Sequence, residues 1–467
     1  MLPDTDHGLR GRHAVVLGLG LTGLSLVRYL VRHGAHVRVA DTRDAPPNAG
    51  ALAQAFPHVH LETGPLSEAT FVAADMIAIS PGVAKDQPAI RAAVDAGIEL
   101  VGDVELFARA LPGGQKVVAI TGTNGKTTVT ALTGALAGAA RLSTVVAGNI
   151  GTPVLDAIAP FETGEAWPEL FVLELSSYQL ETTSSLEAAA AAVLNVSANH
   201  LDRYPGLADY AAAKGRIYAH AAVQVLNRDD PIVRLMRLPG HVVQTFGAGV
   251  PVSEEEWGLV RRPDGEWLAR GGELLMPASG LSLVGRHNAL NALAALALVA
   301  SVAEVTPAVL DALAAFRGLA HRMERVAEAG GVLFVNDSKG TTVAATEAAL
   351  AGLARPVILI AGGDAKGQSF VPLKASVDRA CKAVLLIGRD APLVARGLAG
   401  TKAAVEQAGT LEAAVERAFA LARAGDAVVL SPACASLDQF ASYVKRGERF
   451  AELVRARLEA SPSCAST

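Results

Sequence analysis

Features that would place this chain in a specialised class are scarce in its 467 residues. Its three cysteines, Cys381, Cys434 and Cys464, are too few and too scattered for a disulfide framework or a zinc knuckle. The longest apolar stretch, residues 290–303, is interrupted by polar side chains and is shorter than the roughly 18 residues of a membrane span. The N-terminus lacks the apolar segment of a secretory signal. We therefore expect a cytoplasmic protein without membrane insertion.

Positive charge is also not in excess. The formal net charge is −5, charged residues make up 19% of the chain, and basic residues do not cluster in runs. This balance gives no general attraction to a polyanion, so we expect no nucleic-acid partner. We also expect a monomer. A chain of this length exceeds what one hydrophobic core supports, and about three domains are predicted.

Short apolar runs alternate with helical spacing along most of the chain, which predicts an α/β fold with parallel sheets. A turn at residues 111–114 and a change of pattern near residues 316–325 suggest two boundaries. The region 224–276 looks less regular. The predicted strands are residues 13–18, 36–40, 75–80, 97–101, 116–120, 170–174, 191–195, 332–336, 356–361, 383–387 and 427–430.

The most informative local feature is the sequence TGTNGKTT at residues 121–128, between an apolar strand and a predicted helix. Glycines there let the backbone approach a phosphate, and the helix N-terminus favours an anion. Lys126 can neutralise phosphate charge, and the hydroxyl of Thr127 can bind Mg²⁺. Because Ile120 replaces the first glycine of the common P-loop pattern, a plain Gly-Asn turn remains the alternative.

A second glycine signature, GLGLTG at residues 18–23, also follows a strand, and Asp41 ends the next strand. Taken alone it suggests a nicotinamide-dependent dehydrogenase. A glycine turn of this kind can bind the diphosphate of any nucleotide, however. Together with the loop at Lys126 it indicates two such sites, one for ATP and one for a nucleotide-activated substrate.

Beyond these two loops, the chain resembles the Mur ligase family over nearly its whole length. Three positions depart from the family pattern: Asn199, Thr342 and Tyr443. The matching motifs, in family order, are GTNGKTT (122–128), GNIG (148–151), ELSSYQL (174–180), NV (195–196), HLDRY (200–204), GRHNALN (285–291), HR (321–322), NDSK (336–339), GGD (362–364) and SPACAS (431–436).

The resemblance implies three α/β domains. They are an N-terminal Rossmann-like UDP-binding domain (1–112), a central P-loop ATPase-like domain (113–318) and a C-terminal Rossmann-like domain (319–467) that binds glutamate and part of ATP. Within the family, GLGLTGLS at residues 18–25 and SPACASLDQF at residues 431–440 resemble the branch that adds D-glutamate to UDP-N-acetylmuramoyl-L-alanine. The implied chemistry is ATP-dependent amide formation through an acyl phosphate. Another ligase of the superfamily, or a regulatory nucleotide-binding protein, is the alternative.

The resemblance also implies roles for single residues. The catalytic set is Lys126, Asn149, Glu174, His200, Lys214 and Lys339. ATP is expected at Gly122, Thr123, Asn124, Gly125, Lys126, Thr127, Thr128, Asn288, Asn291, Arg322 and Asp337. The UDP-sugar is expected at Leu21, Thr22, Thr42, Arg43 and Asn149, and glutamate at Thr341, Lys366, Ser436, Leu437 and Tyr443.

The cofactors implied are ATP and Mg²⁺, with Thr127, Glu174, His200 and Lys214 as metal ligands. A lysine ammonium cannot bind a cation, and the resemblance implies that Lys214 carries a carbamate made from CO₂. Such an oxygen ligand suits Mg²⁺. Carbamylation needs a lowered lysine pKa, which partial burial would give. A surface lysine paired with a carboxylate is the alternative for this residue.

Overall fold

The computed structural model describes residues 7–149, 151–197, 199, 203–283, 285–353, 355–365 and 367–460. Three β-sheets organise these residues. The chain divides into two compact units. The first holds Met1–Ser279 and Leu290–Leu313 and contains the first two sheets, and the second holds Gly280–Ala289 and Ala314–Thr467 and contains the third. No helix in the described ranges is long and apolar enough to cross a membrane.

The first sheet is parallel and has helices α1 (Leu21–Arg32), α2 (Ala49–Ala55), α3 (Pro88–Asp95) and α4 (Asp103–Ala110) between or after its strands. The strands are β1 (His13–Leu17), β2 (His36–Asp41), β3 (His60–Thr63), β4 (Met76–Ile79) and β5 (Glu99–Val101). Their order is β3-β2-β1-β4-β5. The strand order reverses beside β1, so the turn between β1 and α1 lies where parallel sheets commonly bind ligands.

The second sheet has nine strands: β6 (Lys116–Thr121), β7 (Thr144–Gly148), β8 (Leu170–Glu174), β9 (Ala188–Val193), β10 (Ala221–Asn227), β11 (Val242–Phe246), β12 (Glu256–Arg262), β13 (Gly265–Arg270) and β14 (Glu273–Pro277). Their order is β14-β13-β12-β11-β10-β9-β6-β8-β7, and only the β12-β13-β14 pairs are antiparallel. The associated helices are α5 (Lys126–Ala139), α6 (Val154–Glu162), α7 (Ser177–Leu180), α8 (Leu207–Gly215), α9 (Pro231–Arg234), α10 (Arg286–Ala300) and α11 (Pro307–Ala315).

The third sheet comprises β15 (Glu324–Ala329), β16 (Val332–Asn336), β17 (Val357–Gly362), β18 (Cys381–Ile387), β19 (Ala404–Gly409) and β20 (Ala427–Leu430). Its order is β15-β16-β20-β17-β18-β19, and only β15 is antiparallel to its neighbour. The helices are α12 (Val343–Ala351), α13 (Leu373–Ala380), α14 (Ala391–Gly397), α15 (Leu411–Leu421) and α16 (Tyr443–Glu459).

The predicted α/β architecture is confirmed. Most of the less regular region 224–276 consists of the short strands β10–β14, which extend the second sheet. The strand predicted at residues 191–195 starts at Ala188 and ends at Val193. Beyond Val193, the amide of Leu194 still donates to Thr121, the last residue of β6, whereas Asn195 bonds to the loop that follows β6. The domain limits near residues 112 and 318 remain predictions.

Candidate functional site

The loop between β6 and α5 has a backbone that only glycine fits at two positions. Gly125 has φ +81°, and a Cβ there would lie 2.8 Å from Oδ1 of Asn291. Gly122 has φ +157°, and a Cβ there would lie 3.0 Å from Cβ of Leu194. Asn195 fixes the loop, since its carbonyl accepts from the amide of Thr123 at 2.9 Å and its Oδ1 accepts from the next amide at 2.8 Å. The loop is therefore pre-shaped.

The N-terminus of α5 opens directly onto this loop. No side chain caps the helix at Gly125. Its first amides and its dipole therefore favour an anion there. The Nζ of Lys126 donates to the carbonyls of Gly122 at 2.9 Å and Thr123 at 3.1 Å, so the ammonium lies over the loop. Thr127 is buried in the first turn of the helix. The loop, the helix N-terminus and the ammonium of Lys126 are thus brought together, and phosphate binding there remains a prediction.

Glu174 and Asn149 lie side by side where β8 and β7 end. The Nδ2 of Asn149 donates to Oε1 of Glu174 at 2.8 Å, and its amide donates to the carbonyl of Glu174 at 2.8 Å. Glu174 is only 2% exposed, and its Oε2 has no hydrogen-bond partner in the part of the chain that the structure describes. A buried carboxylate oxygen without a donor is costly, and a hard cation would satisfy it.

Lys214 projects from α8 into the same region and is 1% exposed. Its Nζ lies 3.0 Å from the carbonyl of Gly122, 3.3 Å from Oγ1 of Thr121 and 4.6 Å above the ring of Tyr210. Burial, with a smaller contribution from the charge of Lys126, lowers the pKa of Lys214 to about 6. The amine is therefore mainly neutral at pH 7 and available as a nucleophile. The surface-lysine alternative is wrong.

Two predicted site residues, His200 and Lys366, lie outside the described residues. Arg203, in the same motif as His200, was not predicted as functional. Its Nη1 donates to the carbonyl of Pro81 at 2.9 Å and its Nη2 to that of Val83 at 3.0 Å, and its guanidinium stacks 4.1 Å from the ring of Tyr178. Sequence spacing cannot reveal the contacts with Pro81 and Val83, because these residues are more than 100 positions away from Arg203.

The Gly18 turn carries a different set of contacts. Gly18 has φ +83°, and a Cβ there would lie 2.7 Å from Cγ2 of Val83. Asp41 is buried, and its Oδ2 accepts from the amide of Leu19 at 2.7 Å. The side chain of Arg43 donates to both oxygens of Asp41, at 2.8 and 2.6 Å. Mainly through Arg43, the pKa of Asp41 falls to about 2.

Four of the five predicted UDP-sugar residues lie in the helix that begins at this turn or in the segment after β2, whereas the fifth, Asn149, lies beside Glu174. Leu21 is 72% exposed, Thr22 is half-buried, and Thr42 and Arg43 are exposed. An exposed leucine at the first position of a helix offers an apolar surface beside the glycine turn. The guanidinium of Arg43, which the sequence assigns to a phosphate, is held by Asp41, so Asp41 determines where that positive charge lies.

In the second unit, Asp337 follows β16 and is buried. Its Oδ2 accepts from Oγ of Ser431 at 2.7 Å, and its Oδ1 accepts from the amide of Met323 at 3.2 Å. Burial raises the pKa of Asp337 to about 6. Nη1 of Arg322 is buried and has no hydrogen-bond partner among the residues described. Asn288 is also buried. Of the predicted ATP set in this unit, Nη1 of Arg322 is thus the buried polar atom that the described residues leave without a hydrogen bond.

The predicted glutamate residues are distributed over three segments of this unit. Ser436 is buried, Thr341 is half-buried, Leu437 is 63% exposed and Tyr443 is 36% exposed. Lys339, predicted near the acyl phosphate, is half-buried, and its carbonyl accepts from the amide of Thr341 at 2.8 Å.

Arg446, which the sequence does not single out, connects these segments. It is 1% exposed and donates to Oγ of Ser338 at 3.0 Å and to the carbonyls of Cys434 at 3.1 Å and Ala435 at 3.2 Å. Burial lowers its pKa to about 10, which still leaves it charged at neutral pH. Oγ of Ser338 in turn donates to the carbonyl of Tyr443 at 2.8 Å. A single buried cation therefore shapes the loop after β20.

Three protein-family profiles match this chain. They are "Mur ligase MurD-like, N-terminal domain" over residues 12–102, "Mur ligase middle domain" over residues 120–299 and "Mur ligase, glutamate ligase domain" over residues 321–434. The UDP-N-acetylmuramoylalanine–D-glutamate ligase of Thiobacillus denitrificans is 52% identical over 462 residues, covering 96% of this chain and 97% of that protein. The enzyme of the same name from Nitrosospira multiformis is 51% identical over 453 residues, covering 96% of each.

Solved structures resemble the fold at lower sequence identity. A UDP-N-acetylmuramate-alanine ligase from Thermotoga maritima has a TM-score of 0.57 at 17% identity, covering 95% of this chain and 99% of that one. A pseudomurein peptide ligase type C from Methanothermus fervidus has a TM-score of 0.54 at 18% identity, covering 96% and 100%.

Proposed function

The chain belongs to the Mur ligase family, and we propose that it uses ATP to join D-glutamate to UDP-N-acetylmuramoyl-L-alanine during peptidoglycan precursor synthesis. The observation that carries this function is the match to named D-glutamate ligases at about half identity over 96% of the chain. The phosphate loop with Lys126, together with the buried side chains of Lys214 and Glu174, supports the ATP-dependent chemistry. A dehydrogenase would use the Gly18 turn but would leave this second site without a role.

The reaction has two steps. A carboxylate oxygen of the L-alanyl group attacks the γ-phosphorus of ATP, so that an acyl phosphate forms and ADP leaves. The amine of D-glutamate then attacks the acyl carbon, and the tetrahedral intermediate loses a proton and expels phosphate as the amide forms. Because two anions meet in the first step, the site must supply positive charge, which is the role of Lys126.

Mg²⁺ fits the residues at the end of β8. The Oε2 of Glu174 lacks a donor in the described residues, and Thr127 at the start of α5 offers a hydroxyl. Glu174 would hold one Mg²⁺ shared with ATP and His200 a second, with Thr127 and a carbamate on Lys214 as further ligands. When bound, Mg²⁺ neutralises phosphate charge and orients the γ-phosphate. Asn149 keeps Glu174 in place through its 2.8 Å hydrogen bond.

The carbamate on Lys214 is supported by the surroundings of that side chain. A neutral amine adds to CO₂, forming the N–C bond and releasing one proton, so that an anionic oxygen ligand replaces a potential cation. Lys214 is buried and its pKa is about 6, so the neutral form predominates at pH 7. The same burial makes an ammonium unfavourable beside Lys126.

The remaining assignments belong to the same proposal. The UDP-sugar contacts Leu21, Thr22, Thr42, Arg43 and Asn149. ATP contacts the loop 122–128 together with Asn288, Asn291, Arg322 and Asp337. D-glutamate contacts Thr341, Lys366, Ser436, Leu437 and Tyr443, with Lys339 near the acyl phosphate. The functional domains span residues 1–112, 113–318 and 319–467, and the enzyme works as a cytoplasmic monomer.

Phosphate release tests the function directly. We expect release only when ATP, Mg²⁺, UDP-N-acetylmuramoyl-L-alanine and D-glutamate are all present. Omitting each component in turn is the control, and L-glutamate replaces D-glutamate in a parallel series. Faster turnover with L-glutamate would show that the amino-acid assignment is wrong. Turnover without the UDP-sugar would show that the chain is not this ligase.

A further inference from the structure

Two histidines and a glutamate approach one another at the end of α1 that is opposite the Gly18 turn. One candidate ligand atom from each of His7, His33 and Glu162 lies within 4.8 Å of the others. Among the described residues no other group of three such side chains meets this spacing. We propose that these residues form a binding site for a divalent transition-metal ion of the Zn²⁺ type, separate from the reaction site.

The ring orientation of His33 is fixed by the backbone. Its Nδ1 lies 2.8 Å from the carbonyl oxygen of Tyr29. A carbonyl can only accept, so Nδ1 carries the hydrogen and donates it. In the neutral imidazole, Nε2 then presents a lone pair. A metal-binding histidine commonly donates its other ring N–H to a carbonyl in this way.

The lone pair of His33 faces a carboxylate oxygen at a spacing that suits a shared ion. Nε2 lies 3.4 Å from Oε1 of Glu162, whose side chain is only 6% exposed. This oxygen has no hydrogen-bond partner within the described ranges. Ligands at about 2.0–2.2 Å from a tetrahedral ion are roughly 3.4 Å apart. A charged N–H···O bond would be shorter, at about 2.7–2.9 Å. The pair therefore has the spacing of two ligands of one ion.

His7 and solvent complete the coordination. The ring centroid of His7 lies 5.3 Å from that of His33, and His7 is exposed and precedes Gly8. Closing on the ion requires a movement of about 1–1.5 Å, given the ligand spacing of a tetrahedral site. Arg32 pairs with the other oxygen, Oε2, and so leaves Oε1 available to the ion. Two imidazoles and one carboxylate favour Zn²⁺, Co²⁺ or Ni²⁺ over Mg²⁺.

Such an ion would join two helices of the first unit. His33 caps the C-terminus of α1, and Glu162 is the last residue of α6. The same helices already share the exposed pair Arg28–Asp156 at 3.0 Å. A metal bond there would hold α1, from the first sheet, against α6, from the second. The expected consequence is greater stability of the folded state when the ion is present.

The test measures metal binding by untagged full-length protein. In equilibrium dialysis with Zn²⁺ and an excess of Mg²⁺ that occupies the proposed reaction site, we expect one Zn²⁺ ion per chain, and with Co²⁺ the visible absorption of a tetrahedral centre. His33→Gln and Glu162→Gln should each weaken binding at least tenfold and remove the rise in Tm that Zn²⁺ produces. His13→Gln is the matched control, because His13 and His36 form a stacked histidine pair that belongs to no group of three candidate ligands among the described residues.

Each outcome decides the proposal. Binding that survives in His33→Gln, or that is lost in His13→Gln, would overturn it, as would the absence of a stoichiometric ion. If the variants do not fold, ¹⁵N spectra of the histidines in the unaltered protein give the answer. A Zn²⁺-dependent shift confined to Nε2 of His33 and one nitrogen of His7 would support the site. Unshifted resonances, with both His33 nitrogens protonated, would show a simple ion pair.

Discussion

The two glycine turns that follow β1 and β6 use the same backbone arrangement but differ in the charges around them. Each connects a buried parallel strand to the N-terminus of a helix and contains a glycine with positive φ. At the first turn, Asp41 and Arg43 neutralise each other. At the second, Glu174 has a buried oxygen without a donor in the described chain, and Lys214 is a buried amine with a lowered pKa.

This difference in charge suggests different roles for the two turns, with substrate binding at the first and the reaction at the second. A turn whose charges are already paired can hold a diphosphate and change little during a reaction. A turn surrounded by buried groups with shifted pKa values or missing partners is typical of a reaction centre. In the proposed function, the backbone of each turn would position phosphates, and the surrounding side chains would decide whether a reaction follows. Changes at the second turn should therefore reduce turnover, and changes at the first should reduce affinity for the UDP-sugar.

The largest effect is expected for Lys126→Ala. Loss of a charged donor to a transition state costs about 3–4 kcal/mol, so turnover should fall by roughly two to three orders of magnitude. Steady-state kinetics measure the turnover, and calorimetry measures the UDP-sugar affinity, which should change little. Lys116→Ala is the control, because Lys116 begins the same strand but donates to the carbonyl of Val302 at 3.0 Å. UDP-sugar affinity that falls together with turnover would contradict the separation.

Lys214→Ala should lower turnover by about a hundredfold, in the range that single electrostatic groups contribute. If the lost group is a carbamate, acetate should restore part of the activity by placing a carboxylate in the vacated space. Chloride at the same ionic strength is the control. Equal effects of both salts would mean that Lys214 has no carbamate role.

Lys214 also predicts a pH dependence of stability. Its folded pKa is about 6, whereas a lysine in the unfolded chain titrates near 10.5. Between these values the unfolded state binds the additional proton, so this residue makes the folded protein more stable as pH rises. Compared with Lys214→Met, the wild type should therefore gain free energy of unfolding from pH 6 to 10. Urea denaturation in CO₂-free buffer measures this difference. A difference in free energy of unfolding between wild type and variant that does not change with pH would argue against a buried neutral amine.

A smaller effect is expected for Arg203→Lys. Arg203 holds the carbonyls of Pro81 and Val83, and Val83 packs on the Gly18 turn, so this residue links the two regions. Losing one charge-assisted hydrogen bond costs about 1.5–3 kcal/mol. We expect KM for the UDP-sugar to rise about tenfold with little change in kcat.

Arg216→Lys is the control for this change, because Arg216 also holds two backbone carbonyls, those of Leu180 and Thr183, and neither belongs to the Gly18 turn or to the Pro81–Val83 segment beside it. A fall in kcat with unchanged KM for Arg203→Lys would place Arg203 in the chemistry instead.

The smallest effect is expected for Asp41→Asn, which should weaken UDP-sugar binding a few-fold and leave kcat unchanged. Because the pKa of Asp41 is lowered to about 2, its carboxylate stabilises the fold above pH 4, and this contribution is lost as pH falls towards 2. The carboxylate of Asp41 contributes about 2 kcal/mol to the free energy of unfolding at neutral pH. Denaturation at pH 7 and pH 2 should show the variant less stable only at pH 7. Asp44→Asn, on the exposed loop nearby, is the control.

The sequence predicts the central strands well and the edges poorly. The bounds of β8, β16 and β20 match the predicted ones, because each is a short run that is buried on both faces. The edge strands β3 and β19 were missed, because each has a polar, half-exposed sequence that resembles a loop. Edge strands bury little, so the apolar pattern that marks a strand is weak there.

The same contrast holds for the site. Lys126 and Glu174 are found from sequence because a glycine turn and a charge at the end of an apolar strand are local signals. The contacts of Arg203 and Arg446 depend on residues about 10 to 120 positions away in the chain. Burial of a whole guanidinium group depends on the packing of several segments, which no local pattern encodes.

In the proposed reaction, ATP bound at the turn after β6 transfers its γ-phosphoryl group to the carboxylate of the substrate held by the turn after β1. Transfer of ¹⁸O tests it most directly, with UDP-N-acetylmuramoyl-L-alanine labelled in both carboxylate oxygens. The acyl-phosphate route predicts that each phosphate released by the wild type carries one ¹⁸O from the substrate. Phosphate without label, formed together with the amide product, would contradict the account.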